Sequence, residues 1–241
     1  MARIGTQILG IILLYLFTMS CAQLGVPSGG EIDITPPELI SMSPALGTTD
    51  ISVEAGGTIE LIFDEYVNVR DLSTQLLISP PLSKPIQWRM RGKTVTFTWL
   101  EPLIDNVTYV FQFGDAVIDL HEGNPTKNLI HAFSTGADLD TLSLSGTVVD
   151  AFSGAAMSGV RIFLFDSNVT ADSIATGINP KFMGTTDVQG RFMIMYLPEG
   201  NYRVMAVDDQ DRNYHWTTGE SLGIFEDMIA VTGHDTLKQN I

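Results

Sequence analysis

Two places in this sequence carry residue types that could do chemistry. The first is Cys21, the only cysteine in 241 residues. It cannot pair within its own chain, and one thiol is too few for a cysteine-based zinc site. It stands where the apolar run "ILGIILLYLF" gives way to "TMSCAQLGVPSGG", ahead of any folding segment, so it is no catalytic thiol. The second is the loop "DDQDRNYHWTTGES". Asp209, Asp211, Asn213 and Glu220 occupy positions 1, 3, 5 and 12 of a calcium-loop spacing. Calcium takes many oxygen ligands, and closely spaced Asp and Asn side chains converge on one centre. The alternative is an acidic loop turned to solvent. Tyr214 stands where such loops take glycine for their sharp turn, and the flanks read as strands rather than helices. Calcium is the only cofactor the sequence suggests.

Other site chemistries lack their residues. His121 in "DLHEGNP" has no second histidine at helical spacing. His131 alternates within a strand and reads as a surface or half-buried histidine. His215 and His234 stand in acidic loops. There is no Gly-x-Ser-x-Gly elbow and no phosphate loop of the G-x-x-x-x-G-K-[ST] form. Adjacent acids such as Asp64/Glu65 and Asp208/Asp209 read as solvated pairs on strands and turns. The expectation is that the chain is not an enzyme.

Charge narrows the partners. With 28 acidic and 13 basic residues the formal net charge is −15. Binding nucleic acid requires Lys/Arg clusters that displace counterions, and this chain has none, so nucleic acid is excluded as a partner. An apolar fraction of 44% is enough for packed cores.

The elements that must position these residues begin with a targeting segment. Arg3 is a minimal basic start, and Ile8 to Phe17 is an apolar run of ten residues. Ten are short for a membrane span and suited to a signal peptide. "TMSC", with Ser20 before the cysteine, resembles a bacterial lipobox, although Thr18 stands where that motif prefers leucine. The resemblance implies a lipoprotein signal peptide over 1–20, cleavage before Cys21, and acylation of its sulfur and new amino group. Stable anchoring needs more than one acyl chain, which such processing supplies. An ordinary signal peptide with an incidental cysteine is the alternative. Residues 21–34 then read as a flexible tether.

After the tether, short alternating segments separated by turn residues predict an all-β chain. "ELISM", "TIELIF", "QLLIS", "PIQWRM", "TVTFTW", "VTYVFQF" and "LIHAFST" give seven strands in the first half, the number of an Ig-like sandwich. Their inward faces are Ile59, Leu61 and Phe63; Val95, Phe97 and Trp99; and Tyr109, Phe111 and Phe113. The order of "TPPELISMSPALGTTDI", "IELIFDEYVNV", "LEPLIDNVTYVFQFGDAVIDLHEGNP" and "HAFSTG" over residues 35–136 resembles the bacterial Ig-like domain described in S-layer proteins. "ADLDTL" is a short junction. In the second half, Val160, Ile162 and Leu164, then Tyr202, Val204 and Ala206, form inward faces. Asp187 to Gly190 fits a type I turn. Gly146-x-Val148-x-Asp150, Gly159-Val160, Asp187-x-x-Gly190-x-Phe192 and Leu197-Pro198-x-Gly200-x-Tyr202 resemble the carboxypeptidase-regulatory-like sandwich, related to transthyretin and to Cna B-type repeats. That assigns 141–241 to a second sandwich, with truncation of this sandwich as a further expectation.

A lipobox followed by these two sandwiches resembles lipoproteins of Bacteroidetes-type bacteria. The expectation is a non-catalytic, lipid-anchored protein of the cell envelope. It would sit on the outer membrane, facing the periplasm or the surface, as a spacer or interaction module. Its partners would be the membrane, through the lipid, and envelope proteins or glycans. The alternative is a carbohydrate- or peptide-binding module accessory to an envelope hydrolase, which exposed Trp88, Trp99 or Trp216 would favour.

Overall fold

In the computed structural model the described residues are 32–170, 173, 174 and 177–232, with the backbone of 237–240. Cys21 and most of the tether lie outside them. The described chain is all-β apart from a short helix, α1 (Leu72–Gln75), and the helical residues Ser173 and Ile174. Alternation decides the first half. In β2 (Thr58–Phe63), Thr58, Glu60 and Ile62 alternate with Ile59, Leu61 and Phe63, and in β6 (Thr94–Thr98) threonines alternate with Val95 and Phe97; in each strand the second set turns inward. These strands pair antiparallel, and with β1 (Leu39–Ser43) and β5 (Gln87–Arg91) they make a sheet of order β1-β2-β6-β5. A second sheet, β4-β7-β9, is built from β4 (Leu77–Ser79), β7 (Thr108–Gln112) and β9 (Ile130–Ser134). One core joins the two sheets, with Ile59, Leu61, Phe63, Val95, Phe97 and Trp99 meeting Tyr109, Phe111, Phe113 and Phe133. Every residue predicted to face inward in this half does so. A ribbon of β3 (Val67–Val69) and β8 (Val117–Asp119) adds two strands that the sequence reading did not count.

The second half is also two sheets. β10 (Leu142–Thr147) pairs antiparallel with β13 (Arg191–Leu197) and parallel with β17 (Leu237–Asn240). Opposite lies the sheet β12-β11-β14-β15, made of β12 (Phe182–Thr185), β11 (Arg161–Asp166), β14 (Gly200–Val207) and β15 (Leu222–Ile224). There β16 (Ile229–Val231) also pairs with β14. Leu144, Ile162, Leu164, Ile194, Val204 and Val231 fill the space between. The Asp187 turn forms as expected. The Gly190 N–H donates to the Asp187 carbonyl at 2.9 Å. Gly190 has φ +73°, and a Cβ there would lie 2.6 Å from the Val148 carbonyl oxygen.

The two sandwiches are not beads on a string. Residues Ile34–Ile241 form one compact unit, because the joint has its own core. "RIFLFD" and "NYRVMAV" are apolar on both faces, the pattern of a strand covered twice. Ile162 and Leu164 face the second core. Phe163 and Phe165 face the other way and meet Met183, Met205, Val207 and, from the first sandwich, Leu77. The outer face of the β4-β7-β9 sheet carries small or polar residues, Ser79, Thr108, Ala132 and Ser134, all buried. The Met183 N–H donates to Ser79 Oγ at 3.1 Å across the joint. Alternation along each strand predicts only one buried face; the second face is filled by the other sandwich.

One core histidine departs from expectation. His131 is not at the surface: it is 0% exposed. In β9 it shares the inward face with Phe133, at 5.8 Å between ring centroids, and its Nδ1 lies 3.1 Å from Met42 Sδ. Its Nε2 is buried with no hydrogen-bond partner. Desolvation lowers its pKa to about 4, so the ring is neutral at pH 7.

Candidate functional site

β14 and β15 pair antiparallel through Val207 and Leu222, so residues 208–221 close a long hairpin. The Asp208 N–H donates to the Ser221 carbonyl at its base. Asx-type hydrogen bonds shape the loop from within, as expected of dense Asp and Asn. The Asn213 N–H donates to Asp209 Oδ1 and Asp211 Oδ1, each at 3.1 Å. Glu220 closes the other side. Its Oε1 accepts from the Gln210 N–H at 2.9 Å and its Oε2 from the Thr217 N–H at 2.8 Å. The result is a carboxylate trio: Asp209, Asp211 and Glu220 each present an oxygen, all within 4.8 Å of one another. Among the described residues this is the one such group of three or more acidic, histidine or cysteine side chains.

Asn213, the fourth residue of the expected set, is oriented differently. Its Nδ2 donates to Asp211 Oδ2 at 2.8 Å and to Thr217 Oγ1 at 3.0 Å, while its Oδ1 accepts from the His215 N–H. It therefore straps the loop and offers the trio a donor. Tyr214, at the glycine position, adopts φ +64°. Its ring is held in the cluster of the joint, with Leu77, Phe163 and Met205. Arg212, two residues earlier, also has positive φ, at 58°.

The trio is electrostatically uneven. Asp209 is 7% exposed, and its Oδ2 is buried with no hydrogen-bond partner. Burial raises its pKa, and the neighbouring Glu220 adds to the rise. The Tyr214 and Asn213 amides and the Arg161 guanidinium oppose it. Arg161 lies on β11 beneath the loop, and its own pKa is lowered by burial. The described ion pairs, Arg70–Asp71, Lys181–Asp166 and Arg191–Asp187, do not involve the trio.

The other candidates disperse. Asp64 Oδ1 accepts the Glu38 N–H and does not converge with other acids. Trp99 is 2% exposed and donates its indole N–H to the Glu54 carbonyl, so it is a core residue. Trp88, on the exposed strand β5, and Trp216, in the acidic loop, are each 43% exposed. A cleft of about 710 Å³ runs between Gln112, Asn128 and Ile130 of the first sandwich and Ser145, Arg191 and Met193 of the second. No described helix is long and apolar enough to cross a membrane.

Residues 33–135, which make up the first sandwich, match the family model of the bacterial Ig-like domain. The family match covers the first sandwich from its leading extended segment to the end of β9. No curated protein matches the chain. Among solved structures, the chain is similar to the major pilin subunit BcpA of Bacillus cereus, at 14% identity and TM-score 0.27, covering 85% of this chain and 69% of that one. It is similar to an L,D-transpeptidase from Mycobacterium smegmatis at 14% identity and TM-score 0.29, covering 80% and 77%. The N-terminal part of the bacterial S-layer protein SbsC gives 15% identity and TM-score 0.29, covering 80% and 45%. Likenesses this low carry no functional weight. The trio is legible in sequence as a spacing. The burial of Asp209 and the docking of Tyr214 are not, because both depend on the joint beside the Ig-like domain.

Proposed function

We propose that the chain is a non-catalytic, lipid-anchored cell-envelope protein whose two sandwiches act as a short strut, a spacer that presents loops to a partner. The observation that carries this reading is the joint. Leu77 of the Ig-like domain packs with Phe163, Phe165 and Met183 of the second sandwich, which suits a stiff element better than a hinge. Cys21 is read as the lipidated first residue of the mature chain, on the strength of the apolar run and "TMSC" before it. The second sandwich is read as carboxypeptidase-regulatory-like over 141–241 and the Ig-like domain as 35–136. The outer membrane is the proposed location.

The test is mass spectrometry of the mature N-terminus together with membrane fractionation of wild type and Cys21→Ala. The expected result is an acylated Cys21 and a membrane-bound wild type, with the variant unacylated and soluble or retaining its signal segment. A wild-type protein that is unacylated and soluble overturns the anchor.

A second reading has one observation in its favour. Trp88 and Trp216 expose part of their rings, and aromatic faces stack on sugars. Glycan-array binding lost in Trp88→Ala or Trp216→Ala would move the assignment to a carbohydrate-binding module.

A further inference from the structure

Beyond the strut reading, and independently of the lipid anchor, we propose that the loop 208–221 binds one calcium ion through Asp209, Asp211 and Glu220, and that the bound ion stiffens the joint between the sandwiches through Tyr214.

The geometry suits a hard cation. Calcium–oxygen distances are about 2.3–2.6 Å, so any two oxygens sharing one ion lie within about 5 Å of each other. The three carboxylates present oxygens within 4.8 Å. Three negative charges at that spacing repel one another, and the loop spends its amide donors unevenly on them. Glu220 and Asp211 each have both oxygens hydrogen-bonded. Asp209 is more than nine-tenths buried, and its Oδ2 has no partner. A buried, unpaired carboxylate oxygen is costly unless something positive meets it. No lysine or arginine forms an ion pair with it among the described pairs. A cation at the trio supplies the missing partner. The donor set is oxygen alone, which favours calcium or magnesium over transition metals. The irregular loop favours calcium, which tolerates varied geometry where magnesium demands an octahedron. Thr217 Oγ1, 3.5 Å from Asp211 Oδ2, adds a further oxygen beside the trio.

The link to the joint runs through two consecutive residues. Asn213 donates to both Asp209 and Asp211. Tyr214, next in the chain, packs in the cluster that contains Leu77, Phe163 and Met183. It also lines a cavity of about 260 Å³ with Leu72, Ile78 and Pro85 of the Ig-like domain. An ion that fixes the carboxylates fixes Asn213, and with it the backbone that seats Tyr214.

Calcium titration of the full chain in detergent, by calorimetry and thermal melting against magnesium, tests the site. Extracellular calcium modules have dissociation constants of about 0.1–1 mM. The expected result is one ion per chain in that range and a melting point about 3–5 °C higher at 5 mM calcium. Magnesium should give a smaller rise, and affinity should fall at least tenfold in Asp209→Asn and Asp211→Asn. Asp211 is exposed and belongs to neither core, so that variant alters hydrogen bonds within the loop and leaves the packed interior of the sandwiches intact. No heat and no melting shift, or equal responses in wild type and Asp211→Asn, overturns the site. Hydrogen exchange tests the joint. Calcium should slow exchange at Ile78–Ser79 and at Met183 as well as in the loop. Slowing confined to 208–221 overturns the stiffening. Neither result bears on acylation of Cys21, so this inference and the anchor fail separately.

Discussion

Two buried carboxylates head loops in this molecule, and they are held in opposite ways. Asp119, at the end of β8, is 2% exposed. Its Oδ1 accepts N–H donors from His121, Glu122 and Gly123 at 2.6–2.9 Å, and its Oδ2 accepts the Asn124 N–H at 2.8 Å. Burial alone would raise its pKa, but the four amides outweigh it and bring it down to about 2. Asp209, two residues past the end of β14, meets two further carboxylates and leaves Oδ2 unpaired, and its pKa moves up. Both are Asp residues opening an acidic turn after a strand. The difference lies in the supply of backbone donors. The first loop is a closed nest that needs nothing from outside. The second is an acceptor surplus, and a surplus calls for a cation.

The largest expected effect breaks the closed nest. Asp119→Asn replaces one acceptor oxygen with an NH₂ group that faces amide donors. It should destabilise the protein by about 3 kcal/mol, a fall of roughly 6–12 °C in melting temperature. Calcium should not restore it. A loss under about 1 kcal/mol would mean that water can replace the nest, and the contrast with Asp209 would weaken.

A second test adds a buried group with no surplus charge. His131 has a folded pKa of about 4 against 6.5 in the unfolded chain. The unfolded state therefore takes up a proton first as pH falls. The stability conferred by the neutral ring is complete above about pH 6.5 and declines as pH falls through 4, by about 3 kcal/mol. The Asp119 contribution has the lower window: it is present above about pH 4 and lost as pH falls toward 2. Urea unfolding across pH 4–7 should show the upper slope in wild type and lose it in His131→Leu. An unchanged slope in that variant would place the titration elsewhere.

How much of this was legible in sequence depends on which partner each residue answers to. Alternation within a strand depends on neighbours in the same sheet, so Ile59, Phe97, Phe111, Ile162 and Val204 could be placed inward from the pattern alone. The joint answers to a second sheet from a distant part of the chain. Phe163 and Phe165 announce a second buried face, but nothing near them names Leu77 as its occupant. His131 was misplaced for a related reason. Its position between Ile130 and Ala132 fits either face, and only the register with β7, His131 opposite Phe111, turns it inward. The carboxylate trio was legible as spacing, because a hairpin loop brings its own residues together. The unpaired Oδ2 was not, because a count of amide donors requires the backbone path. The same holds for Asp119, where "DLHEGN" looked like an ordinary turn.

The smallest expected effect is the sharpest test of the comparison. Asp209→Asn in EDTA removes a buried charge with an unpaired oxygen and introduces an NH₂ group beside two carboxylates. The surplus of acceptors falls, and the repulsion within the trio falls with it. Stability without metal should therefore stay within about 1 kcal/mol of wild type, or rise. The identical chemical change at Asp119 should cost several times as much, because there each oxygen already has its donor. Chemical denaturation of the two variants side by side, with and without calcium, measures this. If Asp209→Asn in EDTA loses as much as Asp119→Asn, the Asp209 carboxylate is a structural anchor satisfied by its own loop, and the case for a missing cation falls with it.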